Sequence, residues 1–351
     1  MNNSSTSSSE LKKFMLHLLW RASVIALAIV LIFFIPLPKK YYTSLTQHTD
    51  YSKIDWVENR LDEISDLSSK ELFVGSSICM NGINDSLLNQ GNPDGKYINL
   101  GFTHTCFAIT DALIDDILHR RQQKPAMVYL CIKGDALPTR IHNMYPLFAT
   151  PSHIIATLAQ GNTYWLAAVL KKTSWNIHYL SSSFKYKNQT SQKNFESPYG
   201  YHPSRFADVA EVEKIYRRNV ASSEKTLLAT DAMMNGQPTP WRHYLTRFYF
   251  NLFENIQFQK NIFAHTAKRL EEANIPFRFI QYPNLVSARL GRPDIMARYF
   301  QMINPQIDFV EHPIILPDDT AFANARYYND MNHLNPAGAA MLTRYIEGKI
   351  H

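Results

Sequence analysis

The chain has 351 residues, of which 45% are hydrophobic and 19% are charged, and its formal net charge is +6 at pH 7. These proportions fit a globular protein with an ample core, arranged as one large domain or two modest ones. No run of Lys and Arg exceeds two residues, so the positive charge indicates mild attraction to anionic membrane or glycan surfaces and argues against nucleic-acid binding.

An apolar segment follows the N-terminal tail and is long enough to cross a membrane. Residues 1–13 form the tail, and residues 14–38 are almost wholly apolar. At about 1.5 Å per residue, a helix from Phe14 to Leu37 would be about 36 Å long, which spans a bilayer. No small-residue cleavage site follows Ile35, so an uncleaved signal anchor is favoured over a cleaved signal peptide or a buried soluble helix.

Residues 39–70 form a predicted linker that contains an amphipathic helix. Apolar residues recur there at helical spacing, with polar and charged residues between them. They are Ile54, Val57, Leu61, Ile64 and Leu67. We expect this helix to pack on the main domain as part of its architecture.

Residues 71–351 alternate between apolar strand patterns and helical patterns, which predicts a three-layer, doubly wound α/β domain with a parallel sheet. The predicted strands are Glu71–Gly75, Tyr97–Gly101, Met127–Ile132, Phe277–Tyr282 and Ile307–Val310. The predicted helices begin near Ser77 and cover Thr105–Arg121, Phe258–Asn274 and Ala337–Lys349.

An insertion at about residues 138–255 interrupts the alternation of strands and helices. It has a helical pattern near Ile154–Lys171, a polar stretch over Ser181–Pro198 and many aromatic residues. Two roles are open for these aromatic residues. They form a lid or wall that stacks on sugar rings or contacts a membrane partner, or they pack the insertion on the core.

The three cysteines, Cys79, Cys106 and Cys131, lack the spacing of metal ligands, so they predict no metal site. We expect them to be small, buried, apolar residues. In an oxidising compartment the alternative is a disulfide between two of them, with the third left over.

Two separated stretches carry the residue types of a serine hydrolase. A Gly-Ser-Ser sequence at residues 75–77 follows the first strand, at the carboxyl end where open α/β sheets place their sites. Asp330 and His333 lie three residues apart before Asn335, the predicted N-cap of the last helix. A carboxylate there would fix the imidazole tautomer while the other ring nitrogen activates a serine. The competing interpretation is that these residues only cap the two helices.

Taken in chain order, Gly75-Ser76-Ser77, Asn99-Leu100-Gly101 and Asp330-x-x-His333-Leu334-Asn335 resemble the motif blocks of the SGNH/GDSL hydrolase superfamily. The resemblance is closest to its membrane-anchored bacterial branch of DltD-like proteins that modify envelope glycans. It covers the chain from about residue 72 to the C-terminus. It implies a flavodoxin-like SGNH fold and a catalytic triad of Ser77, His333 and Asp330, with no cofactor and no metal.

The resemblance also implies where the oxyanion of the reaction would bind. The backbone N–H groups of Ser77 and Gly101 would donate to it, with Ser76 and Asn99 supporting the catalytic residues. The asparagine of the family's third block is missing, because Cys-Ile-Lys-Gly-Asp occupies residues 131–135. Lys133 as a charged donor and Asp135 as that block's aspartate are open alternatives. This departure favours a specialised envelope substrate over fast, general ester hydrolysis.

These features predict a membrane-anchored, extracytoplasmic serine esterase or O-acyltransferase that acts on acyl esters of cell-envelope glycans. The expected partners are an acylated polysaccharide or lipid-linked glycan, the membrane through residues 14–38, and a membrane-bound O-acyltransferase. The expected location is the bacterial cytoplasmic membrane, as a single-pass protein with a cytoplasmic tail. Two alternatives stay open: a non-catalytic assembly or glycan-binding partner of such an acyltransferase, and a lipase or phospholipase.

Overall fold

The structure, a computed structural model, describes residues 8–35, 52–92, 94–102, 107–132, 145, 149–160, 165–182, 200–204, 208–234 and 256–350. The strands are β1 (Glu71–Val74), β2 (Tyr97–Asn99), β3 (Met127–Ile132), β4 (Phe277–Gln281) and β5 (Ile314–Ile315). The helices up to β3 are α1 (Ser8–Phe33), α2 (Ser52–Glu63), α3 (Ser77–Gly82), α4 (Asp85–Leu88) and α5 (Phe107–Asp115), which continues as a π-helical turn, Asp116–Arg120. The later helices are α6 (Pro151–Ala156), α7 (Trp165–Ser182), α8 (Val209–Met234), α9 (Ile256–Glu272), α10 (Leu285–Arg289), α11 (Ile295–Ile303) and α12 (Pro336–Ile350).

The five strands form one parallel sheet in the order β2-β1-β3-β4-β5. The predicted α/β class with a parallel sheet is confirmed. Strand order reverses at β1, because β2 lies on one side of it and β3, β4 and β5 lie on the other. Open parallel sheets bind ligands outside the carboxyl ends of the strands at such a reversal. The fold therefore directs attention to the residues that directly follow β1.

Both faces of the sheet are buried, which explains why its strands are mainly apolar rather than alternating in polarity. On β1, Leu72 and Val74 belong to one apolar cluster and Phe73 belongs to the other. Helices α5 and α9 cover the first face, while α3 and α12 cover the second. The sheet therefore carries a layer of helices on each side.

The last strand is not where the sequence predicts it. Ile307–Val310 forms a turn in which the Asp308 carboxylate accepts hydrogen bonds from the N–H groups of Val310 (2.8 Å) and Glu311 (3.2 Å). Val310 is 93% exposed, so one of the three apolar side chains of this segment faces solvent. The strand beside β4 is β5, where Phe279 pairs with Ile314. The prediction was wrong because an Asx turn can hold apolar residues that a pattern assigns to a strand.

One helix among the described residues is long and apolar enough to cross a membrane. It covers Glu10–Phe33 within α1, with a mean hydropathy of 2.2, and it begins earlier than the predicted start at residue 14. Its large apolar side chains are mostly exposed, as in Leu19 and Leu31. Helix α1 thus has the length and surface of a membrane span.

The predicted amphipathic helix is α2, which buries Val57 and Leu61 against the first face of the sheet but ends at Glu63, before Ile64 and Leu67. Within the insertion, α6 and the first part of α7 lie in the part predicted to be helical, α7 continues beyond it to Ser182, and α8 was not predicted. The aromatic-rich remainder of the insertion includes Trp241, Tyr244 and Phe248, which lie outside the described residues.

Candidate active site

The turn after β1 brings two serines to the carboxyl edge of the sheet. Gly75 makes this turn possible, because a Cβ atom at that position would lie 2.8 Å from the Cβ of Cys131 on the neighbouring strand. Ser76 follows in extended conformation, and its carbonyl accepts from the N–H groups of Cys79 (2.9 Å) and Met80 (3.1 Å). Ser77 is the first residue of α3, so its side chain leaves the sheet edge at the helix start.

The two serine side chains have different environments. Ser76 occupies the N-cap position of α3, but its hydroxyl makes no capping hydrogen bond. The Ser77 hydroxyl lies 2.9 Å from Nε2 of His333, a residue 256 positions away in the chain. Helix capping therefore does not account for Ser77, whose polar partner is an imidazole.

A tight loop before α12 holds His333 in position. The loop closes through a β-bridge between Tyr328 and Leu334 and through a 2.7 Å hydrogen bond from the Asn329 N–H to the His333 carbonyl. At the start of α12, Oδ1 of Asn335 accepts from the N–H groups at 337 and 338, both at 3.1 Å. Asn335 is therefore the N-cap that the sequence predicts.

Asp330 uses both carboxylate oxygens within this loop. Oδ1 accepts from the N–H groups of Asn332 (2.7 Å) and His333 (2.8 Å), and Oδ2 lies 2.9 Å from Nδ1 of His333. With Asp330 ionised, Nδ1 of the imidazole donates to Oδ2, and Nε2 is left as an acceptor towards Ser77. The structure thus brings Ser77, His333 and Asp330 together in a continuous hydrogen-bonded row.

The charge of Asp330 is stabilised by the same contacts. Burial raises the pKa of this carboxyl, but the hydrogen bond and charge of His333 and the two backbone N–H groups outweigh burial, so the pKa lies below its ordinary value. Asp330 is therefore ionised over the range in which histidines titrate. It can hold the imidazole in one tautomer and stabilise its protonated form.

Asn99 and Gly101 lie beside α3, but their contacts differ from the predicted ones. Asn99 donates from Nδ2 to the carbonyls of Cys79 (2.8 Å) and Ile83 (2.6 Å), which ties the end of β2 to α3. Its Oδ1 accepts from the Gly101 N–H at 2.9 Å. The N–H that was expected to donate to an oxyanion therefore already has an acceptor. The N–H of Ser77 has no acceptor among the described residues.

Gly101 is nevertheless required for the shape of the site. A Cβ atom there would lie 2.5 Å from the backbone nitrogen of Met80 and 2.9 Å from the Cβ of Cys79. The loop after β2 can therefore lie against the backbone of α3 only if this residue is glycine. Its contribution, as the structure has it, is close packing under the helix that carries Ser77.

A buried lysine and a buried carboxylate lie near α3, and the charge of each shifts the pKa of the other. Lys53 of α2 donates from Nζ to the carbonyls of Asn99 (2.9 Å) and Gly200. Asp85 of α4 accepts from the N–H groups of Asn99 (2.7 Å) and Tyr201 (3.0 Å). Burial lowers the pKa of Lys53 to about 8, partly offset by Asp85. Burial raises the pKa of Asp85 to about 6, partly offset by its two N–H donors and Lys53.

The segment 200–204 connects all parts of the site. The N–H of His202 donates to the carbonyl of Met80 (3.1 Å), and its carbonyl accepts from Nδ2 of Asn81 (2.7 Å), both in α3. The Ser204 hydroxyl donates to the carbonyl of Leu334, next to His333. Segment 200–204 therefore links α3, which carries Ser77, to the loop that carries His333.

The sequence patterns did not predict segment 200–204 or the pairing of Lys53 with Asp85, although the chain carries weak signals for Lys53 and for the segment. Lys53 lies four residues before Val57 and eight before Leu61, so the helical period already places it on the apolar face of α2. Gly200 and Pro203 mark a turn within the insertion. Asp85 carries no such signal, because its partners come from distant parts of the chain.

Some residues singled out in the sequence lie outside the described residues, and others are simply buried. Lys133, Asp135 and Cys106 are outside the described residues. Cys79 and Cys131 are free and buried, in line with the apolar interpretation. Among the described residues, no group of three His, Cys, Asp or Glu is placed to hold a metal ion.

No family model, curated protein or solved structure matches this chain.

Proposed function

We propose that this protein is a membrane-anchored serine esterase or O-acyltransferase of the SGNH/GDSL type, acting on acyl esters of cell-envelope glycans. One observation carries the proposal: Ser77 Oγ lies 2.9 Å from His333 Nε2, and His333 Nδ1 lies 2.9 Å from Asp330 Oδ2. A hydroxyl, an imidazole and a carboxylate in this order form the arrangement that activates serine for attack on a carbonyl.

The chemistry follows from which atom holds each proton. His333 accepts the Ser77 proton at Nε2 as Oγ attacks the ester carbonyl, and Asp330 stabilises the resulting imidazolium through Nδ1. His333 then gives the proton to the leaving alcohol, which leaves an acyl group on Ser77. Water, or a hydroxyl of a glycan, attacks this acyl-enzyme by the reverse sequence of proton transfers. Water gives hydrolysis, and a glycan hydroxyl gives acyl transfer.

The negative oxygen of the tetrahedral intermediate needs hydrogen-bond donors. The Ser77 N–H supplies one, at the start of α3. The Gly101 N–H supplies a second only if it exchanges Asn99 Oδ1, now 2.9 Å away, for the oxyanion. A charged oxygen accepts a stronger hydrogen bond than a neutral amide oxygen does, so the intermediate itself favours this exchange.

The envelope substrate and the acyltransferase partner are proposed from the sequence resemblance together with α1. An apolar helix able to span a bilayer would keep the site near lipid-linked glycans and near membrane enzymes that supply acyl groups. The bacterial cytoplasmic membrane and an extracytoplasmic domain are part of the same proposal.

A second candidate function is a non-catalytic assembly or glycan-binding partner of a membrane-bound O-acyltransferase. The observation that favours it is the hydrogen bond from the Gly101 N–H to Asn99 Oδ1, which leaves one donor fewer for an oxyanion. A site that binds an acyl ester without stabilising its intermediate would hold substrate and not turn it over.

Labelling with a fluorophosphonate separates the two functions, because this probe reacts covalently only with an activated serine. The full-length chain in detergent should be labelled on Ser77, and the label should disappear in Ser77→Ala and His333→Ala. Ser76→Ala is the matched control, since that hydroxyl lies one residue away and makes no capping bond. Absence of label on wild-type protein with a cooperative thermal transition would reject the enzyme and favour the binding partner.

A further inference from the structure

The C-terminal end of α1 is fastened to a helix of the insertion. Asn176 of α7 is buried, and its Nδ2 donates to the carbonyls of Ile32 (2.6 Å) and Ile35 (2.9 Å). Ile32 lies in the last turn of α1, where its carbonyl also accepts from the Ile35 N–H (3.1 Å), and Ile35 lies two residues beyond the end of the helix. The neighbouring Phe33 is buried in the core of the domain, although most large apolar residues of α1 are exposed. Helix α7 therefore lies where α1 ends.

The helices at this end of α1 expose apolar side chains. On α6, α7 and the 3₁₀ turn between them, five apolar side chains are between 40% and 50% exposed. We call them the α6–α7 surface: Ile155, Leu158, Leu170, Ile177 and Leu180. On α7, Leu170, Ile177 and Leu180 are spaced by seven and three residues, so they share one face of the helix. An exposed apolar face marks a contact with a membrane or a partner.

The charge of this part of the sequence favours a lipid surface. The described residues of α6, α7 and the turn between them contain no Asp or Glu. Of the two lysines of α7, Lys172 is buried and donates to the carbonyl of Ala149 (2.9 Å), whereas Lys171 is not buried. Within α7, Nζ of Lys171 lies 5.5 Å from the ring centroid of Trp175. Helices at membrane interfaces combine exposed apolar residues, aromatic residues and basic residues, and they avoid acidic ones.

We propose that α6 and α7 lie on the lipid surface at the point where α1 leaves the bilayer. The exposed apolar side chains of the α6–α7 surface enter the boundary between headgroups and acyl chains, and Lys171 faces lipid phosphates. The catalytic domain is then held to the membrane at two places, by the span and by this surface. This inference concerns attachment and does not depend on the chemistry at Ser77.

The position of Ile177 relative to lipid can be measured in the full-length protein. Cysteine is introduced at Ile177 or at Leu228 of α8, and each variant is labelled with the environment-sensitive fluorophore NBD. Leu228 is the matched control, because it is also an apolar helix residue and is 52% exposed against 50% for Ile177. A third variant at Leu19 of α1 tests the span itself. The unsubstituted chain gives the background from native cysteines.

Each protein is reconstituted in vesicles of phosphatidylcholine and phosphatidylglycerol, with and without nitroxide-labelled lipid. We expect the label at Ile177 to emit at shorter wavelength and to lose emission to the nitroxide, as at Leu19, while the label at Leu228 does neither. Quenching at Ile177 no greater than at Leu228 would overturn the inference. So would absence of quenching at Leu19, because the argument requires α1 in the bilayer. A blue shift at Ile177 without lipid quenching would overturn it in favour of a protein partner or a second copy.

Discussion

Replacing Asp330 by asparagine tests the proposed mechanism without changing the size of the side chain. Asp330 Oδ1 accepts two backbone N–H groups, at 2.7 and 2.8 Å, which only an oxygen can do. In Asp330→Asn the amide oxygen therefore takes that position, and the NH₂ group faces Nδ1 of His333. Nδ1 must then become an acceptor, which moves the imidazole proton to Nε2, opposite the Ser77 hydroxyl. The base that should accept the serine proton is blocked.

The expected loss follows from this change of tautomer. The same substitution in a serine protease triad lowers turnover by about 10⁴-fold. At about 1.36 kcal/mol per factor of ten, that is about 5 kcal/mol of activation free energy. The free energy of unfolding should change little in Asp330→Asn, because both hydrogen bonds from the backbone N–H groups remain. The lost charge is at a partly exposed site, so after solvent screening we expect a cost of about 1 kcal/mol or less.

The assay is the second-order rate constant for fluorophosphonate labelling, measured together with the thermal unfolding midpoint. The control is Asn332→Ala in the same turn, which removes a 2.6 Å hydrogen bond from Asn284 and leaves His333 untouched. We expect Asp330→Asn to lose labelling and Asn332→Ala to retain it. A labelling rate within tenfold of wild type in Asp330→Asn, with an unchanged midpoint, would refute the role given to Asp330.

Three further predictions concern the pH dependence of labelling, the buried Lys53 and Asp85, and Gly101. Because the folded-state pKa of Asp330 is lowered, its stabilising effect is present above the unfolded pKa and is lost only as pH falls through the folded value. The labelling rate measured against pH should therefore show no step from Asp330 above about pH 4. Lys53→Met leaves Asp85 buried without its cation and should cost about 3–5 kcal/mol in urea unfolding at about pH 7. Lys53 partly offsets the raised pKa of Asp85, so its loss should raise that pKa further; protonation then stabilises the variant more than the wild type, and the deficit should shrink at about pH 5. Equal deficits at both pH values, or no recovery in Lys53→Met/Asp85→Asn, would contradict the pairing. Gly101→Ala should lower the free energy of unfolding by about 1–3 kcal/mol and slow labelling, because its Cβ would overlap the backbone of α3. Gly348→Ala in α12, where nothing lies within 4 Å, is the control and should be neutral or stabilising by up to about 1 kcal/mol; equal losses in both variants would remove the packing argument.

Sequence patterns predicted the parts of the molecule whose signals are local. Strands β1 and β3 are continuous apolar runs, and Asn335 with Pro336 marks the start of α12 within one turn of chain. Asp330 and His333 are close in sequence, so their spacing already suggests a carboxylate beside an imidazole. The helical spacing of apolar residues is also a local signal and predicts α2, but it does not explain why Lys53 lies on the buried face of that helix.

The remainder depends on contacts between distant residues, which no local pattern contains. Lys53 and Gly200 are 147 positions apart, and Ser204 and Leu334 are 130 apart. The hydrogen bond from Gly101 to Asn99 spans two residues, yet it depends on how α3 orients the Asn99 amide. Strand β5 has two residues, too few to show alternation, and the sequence pattern instead predicts a strand in the apolar turn at Ile307–Val310.

If α1 spans a bilayer as proposed, the hydrogen bonds from Asn176 to the carbonyls at the end of α1 also limit how far from the membrane the domain can act. A domain on a flexible tether could reach as far from the membrane as the tether is long. A domain fixed to the end of its membrane span can reach only across its own width. For about 280 residues the radius of gyration is about 19 Å, which corresponds to a diameter of about 50 Å. If the domain transfers acyl groups as proposed, its acceptor must therefore come within about 50 Å of the bilayer surface. Newly made or lipid-attached chains satisfy this condition, and distant layers of a polymer do not.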